Sequence, residues 1–341
     1  MAARIEQRAL GRTSLMVSAL GFGSAPLGDL YARLDERQAV DAAVAAAIGG
    51  MSLFDTSPLY GHGLAEHRLG TALRRVDRNA IVLSTKVGRW MSPAQGDHAT
   101  SGYAGGLPFA ATLDYSYDGA MRSIEQSLLR LGVSHVEIVL IHDVDRRNHG
   151  DAVDARIEEA VSGAWRALAK LRDEGIIRAA GIGVNEADVC VRFAERCDID
   201  CVLLAGRYTL LDQSAADEFL PVALNRGIGV MAGGVFNSGV LATGPVDGAR
   251  FDYAAAPPEI LARTRKLGAI CARHDVALPT AAIHFARLHP AVSSVLLGAV
   301  SPAEVERNLA SWHAPPPPDL WRELKHERLI PDDTPTSADP R

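Results

Sequence analysis

The sequence predicts a (β/α)8 barrel. Eight short apolar segments of strand length recur along the 341 residues, and stretches with helical periodicity separate them. These segments are VSALGFG, MSLFDT, AIVLSTK, VEIVLIH, IRAAGIGV, CVLLAG, GIGVMAGG and SSVLLGA. Strands that are apolar on both faces and alternate with helices are typical of a parallel sheet, and eight such units favour a closed barrel over the alternative, an open doubly wound sheet.

The glycine pattern and the chain length agree with one barrel. GFGSAP and GIGVNE both lack the third glycine of the G-x-G-x-x-G motif that is typical of an open dinucleotide-binding sheet. A chain of 341 residues can hold two average domains or one barrel. We therefore expect one barrel domain over residues 1–330 and a flexible, proline-rich tail over residues 331–341.

Several helices have recognisable ends in the sequence. Asp35 with Gln38 resembles a capping box, and residues 301–304, SPAE, combine a cap, a first-turn proline and a reciprocal acid. Apolar side chains follow helical spacing over 122–131 and again over 157–174, and a glycine comes directly after each stretch. Each of the two stretches is predicted to be one helix.

A long connection follows the third predicted strand. Residues 89–115 are rich in Gly and Ala and exceed the usual length of a connection in a compact domain. Loops of this length are commonly functional, so we expect a loop over the mouth of the barrel.

Composition limits the classes of partner. The formal net charge is −6 without a long Lys/Arg run, so neither nucleic acid nor a membrane is expected as a partner. Because there is no signal-peptide core and no apolar run of about 18 residues, a cytoplasmic protein is expected. Cys190, Cys197 and Cys201 form no C-x-x-C pair and have no suitably spaced His, so they are interpreted as buried hydrophobes and no metal is expected.

Four polar residues follow the predicted strands where a barrel of this kind forms its site. Asp55 ends the second strand, Tyr60 lies in the next loop, Lys86 ends the third strand and His142 ends the fourth. Taken singly, each has an ordinary structural explanation, such as a loop cap or a core histidine. Taken together they indicate a site, because a lysine at the end of an apolar run needs a carboxylate partner and Asp55 is available.

These four residue types supply acid/base chemistry without a nucleophile. A nearby Lys86 ammonium favours the phenolate form of Tyr60, which could then exchange a proton with a carbonyl or hydroxyl oxygen. His142 could donate a hydrogen bond that orients the substrate. Such machinery suits hydride transfer beside a nicotinamide.

The motifs resemble those of the aldo-keto reductases. The similar segments are LGRTSLMVSALGFG, FDTSPLYGHGLAEHRLG, LSTKVG, RSIEQSLLRLGVSHVEIVLIHD, GIGVN and SPAEVERNL. The resemblance implies a (β/α)8 barrel with an N-terminal β-hairpin closing its base and NAD(P)(H) bound across the strand ends. It also implies that Asp55, Tyr60, Lys86 and His142 form the catalytic tetrad.

The resemblance further implies a set of cofactor-binding residues. They are Gly23, Ser24, Asp55, Asn185, Phe236, Asn237, Ser238, Gly298, Val300, Glu304 and Asn308. Two positions depart from the family pattern. Ala205 stands where many members have Gln, and Gly233 stands where an aromatic ring commonly stacks on the nicotinamide, which leaves Phe236 as its substitute.

The same resemblance bears on cofactor choice. NADP-dependent relatives have Lys or Arg at positions matching Gly298, Val300 and Glu304, and this chain has none there. Glu304 could accept a hydrogen bond from a free ribose 2′-hydroxyl, or it could serve only as the acid of its helix cap. Arg307 could reach the same region. NAD is therefore expected, with NADP as the alternative.

Within the family, LLAGRYTLLDQ and FNSGVLATG are most similar to the aldose and pyridoxal dehydrogenases. This similarity implies oxidation of the hemiacetal carbon of a cyclised aldehyde, an aldose such as L-fucose or pyridoxal, to a lactone. The expected substrate contacts are Tyr60, Trp90, His142 and Asp143. The alternatives are an NADPH-dependent aldehyde or ketone reductase and a non-catalytic, cofactor-binding regulatory protein. The sequence indicates no oligomeric state.

Overall fold

The computed structural model describes residues 5–94 and 102–336. Its strands are β1 Gln7–Ala9, β2 Met16–Ser18, β3 Leu20–Gly23, β4 Leu53–Asp55, β5 Val82–Val87, β6 Arg89–Pro93, β7 Phe109–Leu113, β8 Ile138–His142, β9 Ala179–Val184, β10 Cys201–Ala205, β11 Gly229–Gly233, β12 Arg250–Phe251, β13 Ala254–Ala255 and β14 Val292–Leu297. Its α-helices are α1 Glu36–Ile48, α2 Leu64–Leu73, α3 Tyr117–Leu131, α4 Arg146–His149, α5 Val153–Ser162, α6 Ala164–Asp173, α7 Ala187–Arg196, α8 Ser214–Glu218, α9 Leu220–Arg226, α10 Val240–Thr243, α11 Pro258–Arg273, α12 Leu278–Ala286, α13 Pro302–Trp312 and α14 Pro318–His326.

Strands β3, β4, β5, β8, β9, β10, β11 and β14 form a closed parallel barrel in this order, with β14 pairing back to β3. Each of the eight predicted segments overlaps one of these strands, and the bounds differ by one residue at Val87 and at Val292. Every residue of β8 and β9 is buried, as expected where a strand packs against side chains on both faces. The predicted (β/α)8 barrel is therefore confirmed.

A β-hairpin closes the N-terminal end of the barrel. β1 and β2 pair antiparallel, and Leu10 and Leu15 between them are buried with the side chains that fill the barrel interior. The N–H of Arg12 donates to the carbonyl oxygen of Gly227 at 2.7 Å. A Cβ at Gly11 would lie 2.4 Å from that same oxygen, and φ of Gly11 is +57°, so a glycine is required at this close approach.

The structure has two helices where the sequence predicts one. The apolar spacing over 157–174 predicts a single helix, but the structure has α5 and α6 separated at Gly163. The backbone there adopts φ −111° and ψ −86°, and a Cβ on Gly163 would lie 2.4 Å from the carbonyl oxygen of Tyr115. The helix is interrupted where Gly163 approaches the backbone of Tyr115. Because the apolar spacing continues across this point, the sequence pattern does not reveal the break.

The connection over 89–115 contains an antiparallel hairpin where a loop was expected. β6 pairs with β7 in the register from Arg89↔Leu113 to Pro93↔Phe109, and residues 95–101 lie outside the described part. The segment then returns to the barrel mouth, where residues 102–104 line a cavity.

The expected flexible tail is described only in part. Of residues 331–341, the structure describes 331–336, and Thr334 among them is buried. Within the described residues, no helix has the length and apolar character needed to cross a bilayer.

Candidate active site

Two cavities open at the C-terminal ends of the barrel strands. The first, of about 650 Å³, is lined by His142 and is called the His142 cavity below. The second, of about 530 Å³, is lined by Glu304 and is called the Glu304 cavity. Tyr60, Asn185 and Ala205 line both, so the two cavities adjoin at Tyr60. A bound group in one cavity would therefore meet a bound group in the other beside this phenol.

A buried ion pair joins the ends of β4 and β5. Lys86 Nζ donates to Asp55 Oδ2 at 2.5 Å and to the carbonyl oxygen of Thr56 at 2.8 Å, while Ser84 Oγ donates to Asp55 Oδ1 at 2.8 Å. Burial raises the pKa of Asp55, and Lys86 and Ser84 offset part of that rise. Lys86 thus has the carboxylate partner that its position in an apolar strand predicts.

Tyr60 lies beside this pair in the loop that follows β4. Lys86 Nζ is 4.9 Å from the centre of the Tyr60 ring. Burial nevertheless raises the pKa of Tyr60 well above its usual value, and the carboxylate of Asp55 adds to the rise. The expected lowering of this pKa by Lys86 is therefore wrong for the protein alone, because burial and the Asp55 carboxylate disfavour the phenolate more than the ammonium favours it.

His142 ends β8 as a neutral imidazole. Burial lowers its pKa well below the usual value, and the charges of Lys86 and Arg89 add to this effect. Ser57 Oγ lies 3.0 Å from His142 Nδ1 and also accepts the N–H of Leu59 at 3.1 Å. A Ser57 hydroxyl that donates to Nδ1 fits the form of the imidazole with its hydrogen on Nε2, and the Asp143 carboxylate 3.4 Å from Nε2 favours an N–H there.

Asp143 follows His142 at the wall of the same cavity. Its Oδ2 accepts a hydrogen bond from Arg89 Nη1 at 3.0 Å, and its Oδ1 lies 3.4 Å from His142 Nε2. Burial raises the pKa of Asp143 to about 6, although Arg89 acts in the opposite direction. The hydroxyl of Tyr115 donates to the carbonyl oxygen of His142 at 2.8 Å.

Sequence reasoning missed Ser57, Arg89 and Tyr115. Ser57 lies within the same motif as Asp55 and Tyr60, which was a usable signal. Arg89 and Tyr115 stand at the two ends of the long connection, and only the pairing of β6 with β7 brings them to the wall beside His142. No local pattern in the sequence indicates that approach.

Most of the expected cofactor contacts lie around the Glu304 cavity. Those that line it are Gly23, Asp55, Asn185, Phe236, Asn237, Ser238, Gly298, Val300 and Glu304. Ser24 is fully buried and lies outside this lining, and Asn308 donates its amide to the carbonyl oxygen of Gly298 at 3.5 Å.

Three of the four expected substrate contacts line the His142 cavity, and one does not. Tyr60, His142 and Asp143 line the His142 cavity, whereas Trp90 lies outside the lining of both cavities. The indole N–H of Trp90 donates to Asp114 at 3.2 Å, and the guanidinium of Arg122 lies 4.5 Å from the ring centre.

One buried polar atom of the Glu304 cavity is open to a ligand. Among the described residues Asn237 Oδ1, in the Glu304 cavity, has no hydrogen-bond partner, and the same is true of Ser24 Oγ, which is buried outside that lining. Asn185 Nδ2 donates to Asp145 Oδ2 at 3.1 Å, which leaves Asn185 Oδ1 to accept a hydrogen bond from a ligand. Such neutral acceptors and hydroxyls fit the carboxamide and sugar groups of a nicotinamide dinucleotide.

Glu304 serves as the acid of its helix cap and also lines the cavity. Ser301 Oγ accepts the N–H of Glu304 at 3.3 Å, and Glu304 Oε2 accepts the N–H of Val300 at 2.9 Å. Arg307 Nη2 is 3.9 Å from Glu304 Oε1, and its side chain is largely exposed. The two interpretations of Glu304 are therefore compatible.

Comparison with known proteins identifies the family of this chain. The model of the Aldo/keto reductase family matches residues 19–326. The chain belongs to the aldo/keto reductase family. Like other aldo/keto reductases it is an oxidoreductase, and members of the family use NAD(P)(H).

Similar relatives cover nearly the whole of this aldo/keto reductase. Pyridoxal 4-dehydrogenase of Microbacterium luteolum is 43% identical over 336 residues, which cover 95% of this chain and 98% of the relative. D-threo-aldose 1-dehydrogenase of a Pseudomonas species is 36% identical over 330 residues, with the same two coverages of 95% and 98%. The structure is similar to the holo form of an aldo-keto reductase from Bacillus halodurans, with a TM-score of 0.73, 25% identity and coverage of 98% and 100% of the two chains.

Proposed function

We propose that this protein is an NAD-dependent dehydrogenase that oxidises the hemiacetal carbon of a cyclised aldehyde to a lactone. The observation that carries the proposal is the position of Tyr60, which lines both cavities with the neutral His142 beside it. A substrate in the His142 cavity would thus place its reacting carbon next to a cofactor in the Glu304 cavity. The names of the two curated relatives suggest an aldose or pyridoxal as the substrate.

Each residue of the tetrad has a distinct task in this reaction. A nicotinamide held in the Glu304 cavity, beside Asn185 and Asn237, would supply the acceptor for the hydride of the C–H bond that breaks at the hemiacetal carbon. Tyr60 takes the proton of the hemiacetal hydroxyl as its oxygen becomes the lactone carbonyl, and that proton then passes to solvent. His142 Nε2–H donates to the same oxygen and holds it in place. Lys86, paired with Asp55, stabilises the phenolate that must receive the proton.

The charges around the Glu304 cavity favour NAD over NADP. Among the described residues that line it, Asp55, Asp252 and Glu304 are acidic, and none is Lys or Arg. A 2′-phosphate carries nearly two negative charges and is commonly held by cations. A free ribose 2′-hydroxyl instead suits a carboxylate acceptor such as Glu304.

The lining of the His142 cavity suits a small hydroxylated ring. Tyr31, Tyr103 and Tyr253 offer aromatic surface, while Asp143 and Asn148 offer polar groups. Sugar rings and the pyridine ring of pyridoxal both need this combination of stacking surface and hydrogen-bonding groups.

The test is formation of reduced nicotinamide, followed by absorbance, with NAD and NADP offered separately against L-fucose, D-arabinose, L-galactose and pyridoxal. Turnover of a sugar or of pyridoxal with NAD would support the proposal. Reduction of simple aldehydes with NADPH, together with no oxidation of these four, would replace it with a general reductase. Cofactor binding without turnover of any substrate would indicate a non-catalytic binding protein.

A further inference from the structure

A hydrogen-bond donor and an acceptor stand side by side on the wall of the His142 cavity. His142 Nε2 lies 3.4 Å from Asp143 Oδ1, which is longer than the range of about 2.7 to 3.2 Å for an N–H···O hydrogen bond. The two atoms therefore interact only weakly with each other. Both residues line the cavity, so both atoms are available to the oxygens of a ligand.

The far side of each group is fixed by another residue. Ser57 Oγ contacts His142 Nδ1 at 3.0 Å and can donate to it, and the Asp143 carboxylate beside Nε2 favours the imidazole hydrogen on that nitrogen. Arg89 Nη1 binds Asp143 Oδ2 at 3.0 Å, which turns Oδ1 toward His142. The donor and the acceptor are thus oriented before a ligand arrives, and little ordering free energy is lost on binding.

The backbone explains how two consecutive residues reach the same cavity. Side chains of consecutive residues in an extended strand point to opposite faces. Asp143 leaves the strand with φ +55°, in the left-handed region that Asp tolerates better than most residues, and its N–H donates to the carbonyl oxygen of Gly183 at 2.9 Å. This turn places the Asp143 carboxylate beside the His142 imidazole.

We propose that His142 and Asp143 together form a two-point site for the reacting oxygen of the substrate and the hydroxyl nearest to it. His142 Nε2–H donates to the hemiacetal oxygen while Asp143 Oδ1 accepts the hydrogen of the neighbouring hydroxyl. Oxygens on adjacent carbons lie roughly one hydrogen-bond length apart, which matches the spacing of the two protein atoms. The inference rests on the proposed function and narrows its substrate class to aldehydes with a hydroxyl oxygen about one hydrogen-bond length from the reacting oxygen.

This substrate class unites the two candidate substrates. Aldoses carry a hydroxyl on the carbon next to the hemiacetal carbon. In pyridoxal the hydroxyl is one carbon further away, on the ring carbon beside the one that bears the aldehyde, and the planar ring still holds the two oxygens about one hydrogen-bond length apart. An aldehyde without such a group would leave the Asp143 carboxylate desolvated and without a ligand partner, and sites built to bind a hydroxyl strongly reject analogues that lack it.

The test compares L-fucose with 2-deoxy-L-fucose in the presence of NAD. In the unmodified enzyme we expect kcat/KM to be about 100-fold or more higher for L-fucose, since loss of one hydrogen bond to a buried charge typically has an effect of this order. In Asp143→Ala this ratio should fall below about tenfold. If pyridoxal is the substrate that turns over, the analogue without the ring hydroxyl takes the place of the deoxy sugar.

Asp143→Asn provides a second variant of nearly the same shape. Its amide oxygen would remain with Arg89, so the amide nitrogen would face the substrate hydroxyl as a neutral donor, and the ratio should fall to a value between those of the unmodified enzyme and Asp143→Ala. The matched control is Asp200→Asn, because Asp200 is also buried and paired with an arginine, Arg172 at 3.0 Å, but lies before β10 at the opposite end of the barrel. This control should keep the ratio of the unmodified enzyme.

The possible outcomes distinguish a failure of the two-point site from a failure of the proposed dehydrogenase function. Equal kcat/KM for the hydroxylated and deoxy substrates in the unmodified enzyme, or an unchanged ratio in both Asp143 variants, would overturn the two-point site and leave the dehydrogenase function intact. Failure to oxidise any hydroxylated aldehyde would overturn the proposed function itself. A low ratio confined to the Asp143 variants, and absent from Asp200→Asn, supports the inference.

Discussion

Ser57 sets the orientation of His142 through one hydrogen bond. The Ser57 hydroxyl oxygen lies 3.0 Å from His142 Nδ1, and the same oxygen accepts the N–H of Leu59. The neutral imidazole has one hydrogen, and a Ser57 hydroxyl that donates to Nδ1 stabilises the form with that hydrogen on Nε2, beside Asp143, where it can reach the substrate. Ser57 is thus a positioning residue that acts through His142.

Ser57→Ala should therefore impair catalysis by releasing the tautomer of His142. We expect kcat to fall about tenfold. This loss of kcat is smaller than the loss that follows when a catalytic histidine is held in the wrong tautomer. The ¹⁵N chemical shifts of the imidazole report the tautomer directly, and they should move from one dominant form toward a mixture. The control is Ser294→Ala, since Ser294 is buried and donates to the carbonyl oxygen of Ser18 away from the site. Unchanged ¹⁵N shifts in Ser57→Ala would contradict this role.

The buried phenol of Tyr60 predicts the pH dependence of oxidation. Proton removal from the substrate requires the phenolate, and burial holds the pKa of Tyr60 above its usual value. The phenolate fraction then rises about tenfold per pH unit below that pKa, so kcat/KM for oxidation should rise with pH through the neutral and mildly alkaline range. Tyr60→Phe should lose turnover at every pH and still bind NAD, as measured by protein fluorescence. A plateau beginning near neutral pH would show that the bound complex lowers the pKa.

Removal of Lys86 should affect stability as well as activity. The side chains of Lys86 and Asp55 are both almost fully buried, and Lys86 Nζ lies 2.5 Å from Asp55 Oδ2. Lys86→Met therefore leaves the buried Asp55 carboxylate without its cationic partner. Loss of one member of a buried pair typically lowers the free energy of unfolding by about 3 to 5 kcal/mol. The double variant Asp55→Asn/Lys86→Met should recover part of that stability in denaturant unfolding but remain inactive. A single variant as stable as the unmodified protein would show that solvent compensates the Asp55 charge.

The sequence predicted the parts of this molecule that local patterns encode. The apolar segments located the eight barrel strands, and Asp55 and Lys86 were placed together because a buried ammonium needs a carboxylate. The break at Gly163 was not predictable, since the contact with Tyr115 that requires it comes from a distant segment. The pKa of Tyr60 was predicted in the wrong direction because the sequence shows neighbouring charges but not the depth of burial.

The same limit applies to the wall of the His142 cavity. Asp143 was an expected substrate contact, yet the orientation of its carboxylate depends on Arg89, which the β6–β7 hairpin carries to that wall. Trp90, one residue along the same strand, binds Asp114 instead of lining the cavity. Which neighbours on a strand face a site depends on strand pairing, which the composition of the connection did not reveal.

Glu304 offers the sharpest test of cofactor choice. Its carboxylate lines the cavity and accepts the N–H of Val300 at 2.9 Å, so Glu304→Gln should keep the hydrogen bond while removing the negative charge. Weaker repulsion of a 2′-phosphate should lower the Kd for NADP about three- to tenfold and leave the Kd for NAD within about threefold. Glu304→Lys should shift the preference further toward NADP, because it supplies a cation.

The matched control for this prediction is Glu306→Gln, since Glu306 is an exposed acid on the same helix and lies outside the lining of the cavity. It should leave both dissociation constants unchanged, which fluorescence titration of the enzyme with each cofactor would measure. Equal effects of the two variants would assign the change to general electrostatics of α13. A protein that binds NADP more tightly than NAD before any substitution would overturn the assignment of Glu304, and the exposed Arg307, 3.9 Å from it, would then be the cation to remove next.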